Sequence, residues 1–212
     1  MLSIKNKDFE NNIKPTVLNV SPNKILLSLK KALTREECKR LIEITREFGY
    51  NKDSYCEGFR NSERCIIDDT KFAKILEERI YDFIPKVYDN KSYYSINPRF
   101  RFLKYKKGGY FSRHQDVHYE TDSTISTITI LIYLNEKYEG GYTTFYSNPD
   151  DKCGYTLKPK TGMICMMDQT IGHEVPSLLN GVKYVARTEL MYKKVEIESN
   201  DKNVDIKTVN MR

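Results

Sequence analysis

Residues 98–116 read PRFRFLKYKKGGYFSRHQD, and the reading of this stretch decides the fold. From Arg99 to Tyr105 the chain alternates, the two-residue beat of a strand with one buried face. Gly108 and Gly109 interrupt the beat and read most simply as a hairpin turn. His114 and Asp116 follow at i and i+2, so extended backbone sends both side chains from one face.

Working outward toward the C-terminus, the chain reads almost wholly as short strands. Thr124–Leu134, TISTITILIYL, is a long β-branched run. Tyr142–Tyr146, Gly154–Leu157, Met163–Met167 and Lys183–Tyr192 follow. Gly140–Gly141 reads as a second hairpin turn, and Lys160–Thr161–Gly162 and Asn180–Gly181 mark further turns. About eight antiparallel strands must close their edges, which a barrel or a two-sheet jelly roll does.

Toward the N-terminus the pattern is helical. Thr34 caps a helix to Phe48, with Glu37 completing a capping box, Leu33 and Cys38 forming a staple, and Gly49 as the stop. Cys38, Leu41, Ile42, Thr45 and Phe48 form its predicted buried face. A second helix follows Asp68–Asp69 and runs to about Ile84, where Pro85 ends it. Its apolar face is Phe72, Ile75, Leu76, Ile80 and Phe83. Residues 1–25 read as a loose lead-in with an edge strand at Thr16–Val20. The predicted class is α+β, mainly β. Residues 1–98 form the lead-in and supporting helices, 99–192 the core, and 193–212 a frayed polar tail.

Composition bounds the function. The chain has 212 residues, 39% of them hydrophobic, which suits one domain with a real core. No run approaches the ~18 apolar residues of a membrane span. Five cysteines, Cys38, Cys56, Cys65, Cys153 and Cys165, are odd in number and unpatterned, which argues for a reducing compartment. The opening MLSIKNKDFENNIK has no apolar core, so no secretory signal is expected, and the expected location is cytoplasmic. The net charge of +6 is spread thinly and reads as a solvated basic surface. Nucleic acid is therefore disfavoured as a partner but stays open. Monomer and dimer stay open too.

The chemistry concentrates in three residues. His114, Asp116 and the distant His173 are two imidazoles and one carboxylate, the ligand set of the facial triad that holds non-haem Fe(II). His118 is disfavoured as a fourth ligand, and Cys165 reads as an inert core thiol. Asp168 reads either as a cap or as a support behind the metal. Arg113 reads as surface or substrate-facing.

Four stretches together, 98–116, STITILIYLNEKYEGGYTTF (126–145), LKPKTGMICMMD (157–168) and HEVPSLLNGVKYVARTELMY (173–192), resemble the Fe(II)- and 2-oxoglutarate-dependent dioxygenases, specifically the prolyl 4-hydroxylase-like branch. The resemblance covers roughly residues 60–192. It implies a double-stranded β-helix, a distorted, cupin-like jelly roll. Its implied metal ligands and catalytic residues are His114, Asp116 and His173. Its implied cosubstrate pocket holds Lys183, which pairs with the distal carboxylate of 2-oxoglutarate, and Tyr105 and Tyr133. Arg187 competes with Lys183 for that role. The two lie on one face of the last strand, roughly 13 Å apart, too far to share one carboxylate. The one not used faces the substrate mouth or pairs with Glu189. The implied cofactors are Fe(II), 2-oxoglutarate, O2 and ascorbate as reductant. The implied reaction hydroxylates an unactivated C–H bond, with release of succinate and CO2, on a prolyl residue of a peptide or protein. A small-molecule or nucleic-acid-base oxygenase and a non-catalytic metal-binding jelly roll are the alternatives.

Overall fold

A computed structural model describes residues 2, 4–6, 9, 12–52, 58–148 and 150–194. The first strands are β1 (Lys14–Val17), β2 (Leu26–Lys30), β3 (Asn51–Lys52), β4 (Arg60–Asn61) and β5 (Glu63–Asp68). They are interleaved with α1 (Arg35–Phe48) and followed by α2 (Thr70–Ile80). Next come β6 (Val87–Tyr88), β7 (Lys91–Ile96), β8 (Arg99–Tyr105), β9 (Tyr110–His114), β10 (Thr124–Tyr133) and β11 (Tyr138–Gly140). The chain closes with β12 (Thr143–Tyr146), β13 (Tyr155–Leu157), β14 (Met163–Asp168), β15 (Gly172–Val175), β16 (Leu178–Gly181) and β17 (Lys183–Lys193).

The strands form a double-stranded β-helix. The major sheet runs β1-β2-β14-β10-β17-β8-β5-β3, and the minor sheet β13-β12-β15-β9-β4. β7 extends the line of β8 along β17, pairing with residues 190–192 while β8 pairs with 183–187.

Strand alternation divides the core in two. Phe100, Phe102, Ile128, Ile130, Ile132, Ile164, Met166, Ala186 and Leu190 face the helices. Leu103, Tyr105, Leu131, Tyr133, Met163, Cys165 and Val185 face the minor sheet, where Phe145 and Val175 meet them. The helices dock on the first layer through Cys38, Leu41 and Ile44 of α1 and Phe72, Leu76 and Ile80 of α2. The Phe72 and Phe100 rings lie 4.7 Å apart. Each fully buried side chain of this kind contributes about 1.5–3 kcal/mol, so docking outweighs intrinsic propensity in holding the helices.

The predicted helix starts are present. Thr34 accepts from the Glu37 backbone N–H and the Glu37 carboxylate accepts from that of Thr34. Asp69 caps α2 by accepting from Phe72 N at 2.9 Å. Four expectations need correction. Phe48 is 63% exposed, like the rest of the last turn from residue 46, and Ile44 is buried in its stead. The lead-in is not uniformly loose, since Leu2 and Ile4 are buried and Leu2 N donates to Asp69. Strands β2, β5 and β7 join the major sheet from before residue 98. Neither Gly108–Gly109 nor Gly140–Gly141 closes a hairpin: β8 and β9 lie in different sheets, and β11 pairs with β16.

Among the described residues no helix is long and apolar enough to cross a membrane. Cys38, Cys65, Cys153 and Cys165 are free thiols. Cys56 and the tail from residue 195 lie outside the described residues.

Candidate active site

His114 ends β9 and His173 lies in β15, and antiparallel pairing makes them direct cross-strand partners. Their rings come within 4.2 Å, centroid to centroid. Asp116 is the second residue past β9, and its N–H donates to the Gln169 carbonyl at 3.0 Å. The three side chains bring one ligand atom each to within 4.8 Å of one another.

Each imidazole is oriented by its own strand. His114 Nδ1 lies 2.7 Å from the Ser112 carbonyl and His173 Nδ1 3.1 Å from the Ile171 carbonyl, in both cases two residues back. A carbonyl accepts only, so this network assigns the proton to Nδ1 and leaves Nε2 as the lone-pair donor. Burial holds both imidazoles neutral: His114 is pushed down to about 4, helped by its neighbour His173, and His173 is also lowered. Burial raises the Asp116 carboxyl, but Arg187, His173, the Thr129 hydrogen bond and His114 together outweigh burial and hold it below the usual range. Arg187 Nη2 lies 3.1 Å from Asp116 Oδ1, and Thr129 Oγ1 donates to Asp116 Oδ2 at 2.6 Å. Two neutral imidazoles and an ionised carboxylate on one side of a cavity are the donor set of a non-haem Fe(II) facial triad. The residues present therefore fit that metal.

The cavity beside the triad measures about 120 Å³. Lys183 and Tyr105 line it together with Arg187, so three of the four residues predicted for the cosubstrate pocket meet there. Tyr133 lies just behind, its hydroxyl donating to Thr143 Oγ1 at 2.9 Å. Lys183 is 1% exposed and its ammonium lies 5.3 Å from the Tyr105 ring centre and 5.9 Å from that of Tyr133. Its Nζ donates to the Gly141 carbonyl at 2.6 Å, and burial pushes its pKa down to about 7. Burial also raises both tyrosines, which remain protonated donors.

Arg187 differs from Lys183 in being ion-paired. Besides Asp116 it reaches Glu189 Oε1 at 3.4 Å, the pairing the strand face predicted. Glu189, 1% exposed, also accepts from Arg101 at 2.8 Å and from Asn97 Nδ2 at 2.9 Å.

Sequence reasoning did not find Thr129, Arg101 or Asn97, because their roles arise from register between strands. Arg101 does share a face with Tyr105 by the two-residue beat, which is the signal available for it. Phe111 was also missed. Its ring stacks on His114 at 3.7 Å, and Phe59 meets the same imidazole edge-on at 5.8 Å. His118 is turned away from the triad, with Nδ1 against Ser126 O and Gln169 Oε1. Asp168 accepts from the Thr170 N–H and Tyr88, so it organises the turn before β15. Arg113 donates to the Asp151 carbonyl and stacks over Tyr146.

Residues 100–188 match the model of the 2OG-Fe(II) oxygenase superfamily. An uncharacterized protein of Fowlpox virus (strain NVSL) is 30% identical over 132 residues, 62% of this chain. The match spans 29% of that relative's length. A Pseudomonas putida prolyl-4-hydroxylase is 17% identical, with a TM-score of 0.58 over 78% of this chain and 91% of that one. The viral collagen prolyl hydroxylase of Paramecium Bursaria Chlorella virus-1, in its 2-oxoglutarate complex, is 20% identical, with a TM-score of 0.59 over 78% and 95%. A Trichoplax adhaerens prolyl hydroxylase, bound to a hypoxia inducible factor peptide fragment, is 14% identical, with a TM-score of 0.62 over 78% and 82%. At these identities the likeness concerns the fold.

Proposed function

From the premise that residues 100–188 are a 2OG-Fe(II) oxygenase superfamily domain, we propose that the protein is an Fe(II)- and 2-oxoglutarate-dependent hydroxylase of a prolyl residue in a peptide or protein. The observation that carries the chemistry is the convergence of His114, Asp116 and His173 beside a cavity walled by a buried lysine. The choice of a prolyl substrate is supported by the shared fold of three prolyl hydroxylases alone.

In this reading Nε2 of His114, Nε2 of His173 and the Asp116 carboxylate hold Fe(II). The bound metal and 2-oxoglutarate supply the oxidising power, the cosubstrate leaving as succinate and CO2 while one oxygen atom of O2 enters the substrate C–H bond. The chain's part is positioning, charge and exclusion of water. Lys183 pairs with the distal carboxylate of 2-oxoglutarate. Its burial between two tyrosine rings supports this, because a carboxylate entering a desolvated site needs a paired cation. Arg187 is the weaker choice of anchor, since it already holds Asp116 and Glu189. Tyr105 and the Tyr133–Thr143 pair shape the wall around the anchor. Leu131 and Val185 keep the inner face apolar and dry.

Succinate formation from 2-oxoglutarate, under air with Fe(II) and ascorbate, tests this. Wild type should produce succinate, and a proline-containing peptide should stimulate it and gain one oxygen in mass. His114→Ala should abolish turnover. Lys183→Ala should raise the 2-oxoglutarate requirement roughly 10- to 100-fold, the loss of one charge-assisted hydrogen bond. Failure of the wild type to form succinate with peptides, small molecules and oligonucleotides alike would leave a non-catalytic metal-binding protein. Turnover stimulated by methylated oligonucleotides or free amino acids, with peptides inert, would move the substrate to those classes.

A further inference from the structure

We propose that Gln169 is a positioning residue of the metal site, orienting the Asp116 carboxylate through Thr129, an inference that rests on the triad reading above. Gln169 directly follows β14 and is fully buried, as are Ser126 and Thr129 of β10. Its main chain grips two segments at once. The Gln169 carbonyl accepts from Asp116 N and its N–H donates to the Thr127 carbonyl, each at 3.0 Å. Its side-chain amide joins the same two segments again. Oε1 accepts from Ser126 Oγ at 3.1 Å and from His118 Nδ1 at 2.8 Å, and Nε2 donates to Thr129 Oγ1 at 3.3 Å. Thr129 Oγ1 in turn donates to Asp116 Oδ2 at 2.6 Å.

A β-bulge makes this convergence possible. Ser126 and Thr129 are an odd number of residues apart, so an unbroken strand would send their side chains to opposite faces. The pairing of β10 with β17 shifts between Ser126 and Ile128, which leaves Thr127 as the extra residue. The shift resets the two-residue beat, and both hydroxyls reach one amide. The carbonyl of the bulged residue, Thr127, is the one that accepts from Gln169 N.

One acceptor fixes the direction of the whole chain of bonds. The Ser126 carbonyl lies 2.7 Å from His118 Nδ1 and only accepts, so Nδ1 carries the proton. Nδ1 therefore donates to Gln169 Oε1 as well. That leaves Nε2 to face Thr129, whose own proton goes to Asp116. A reversed amide would set two donors against each other at His118, and its oxygen would compete with Asp116 for the single Thr129 proton. The bonds run head to tail, from His118 to Gln169 to Thr129 to Asp116, an order in which each polarises the next. With Oδ2 held from this side and Oδ1 by Arg187, the carboxylate is fixed at both oxygens, and Oδ1 lies 3.9 Å from His114 Nε2. Groups that orient a metal ligand in this way carry roughly 10- to 100-fold in metal affinity.

The test measures metal binding without turnover. The full chain is titrated with Co(II) under nitrogen and followed by the visible absorption of the bound ion, well below the melting temperature of each variant. Thr129→Val, which keeps the shape and removes the hydroxyl, should raise the Co(II) dissociation constant roughly 10- to 100-fold. Gln169→Met, which keeps the length and removes the amide, should raise it about tenfold. The double variant should bind no more weakly than Thr129→Val alone, because Gln169 acts through Thr129. Both single variants should shift the absorption bands, and Thr129→Ser, which retains the hydroxyl, should bind and absorb like wild type. His118→Ala, at an exposed residue, lets the amide turn over and should also weaken binding, which provides a second reading if Gln169→Met does not fold. An amide that served the fold alone would lower Tm and leave affinity and bands unchanged. Wild-type affinity in Gln169→Met or His118→Ala, or losses that add in the double variant, overturns the proposal. Wild type that binds no Co(II) removes the triad reading and the proposal with it. Wild type that binds Co(II), matched by Gln169→Met, removes the positioning role alone.

Discussion

Lys183 is the side chain whose environment says most. It is a fully buried cation whose pKa burial depresses to about 7, from an ordinary value of 10.5. Below the folded value the protein holds a desolvated ammonium. Between about 7 and 10.5 the unfolded chain binds more protons than the folded one, so Lys183 makes stability rise with pH across that window. An incoming dianion favours the ammonium, so 2-oxoglutarate binding above pH 7 should take up a proton, and its affinity should fall as pH rises. Calorimetry in two buffers of different ionisation enthalpy measures that uptake. Zero uptake at pH 8 would place the cosubstrate carboxylate elsewhere. At this scale the sequence was informative about the triad, whose residue types carry the signal, and about Lys183, whose role the resemblance to a known family implied. It was silent on Thr129 and on the Arg101–Glu189–Asn97 network, which exist only once strands far apart in sequence are paired.

Elements were legible in proportion to how strongly one environment acts along them. β8, β10, β14 and β17 each combine a β-branched or alternating run with one deeply buried face, and their predicted bounds are right within a residue or so. β9 was not predicted as a strand because YFSRH is half-buried at every position, with no apolar beat to read. β2 and β5 are short and flanked by charge, and their place in the sheet comes from partners late in the chain. The turn before β14 shows what joins elements. Gly162 donates to Tyr133 O and accepts from Leu33 N, tying the start of α1 to β10. Its φ is +79°, and an added Cβ would fall 2.0 Å from the Leu33 carbonyl oxygen. Gly162→Ala should therefore cost roughly 3 kcal/mol and lower Tm by about 6–12 °C. Thr34→Ala, which removes half of the capping box, should cost only about 1 kcal/mol. Thermal melts of the two variants check the ordering, and equal losses would refute the close approach at Gly162.

For the whole molecule, the jelly-roll class was legible because antiparallel strands in number leave few ways to close. The contribution of the N-terminal third was less so. Strands from residues 14–96 enter the same major sheet as the later ones, and Asp69 both caps α2 and accepts from Leu2 N. The sheet then serves two layers at once, helices on one side and the triad on the other. β17 runs through both, so its successive residues answer to different demands. A survey of every substitution along Lys183–Tyr192 should show an alternating phenotype. Polar replacements at Tyr184, Ala186, Leu190 and Tyr192 should lower cellular abundance. A neutral replacement at Lys183 should spare abundance and lower turnover. The even positions would then be free to drift with the helices and the odd ones with the substrate, so a lineage could retune either without renegotiating the other.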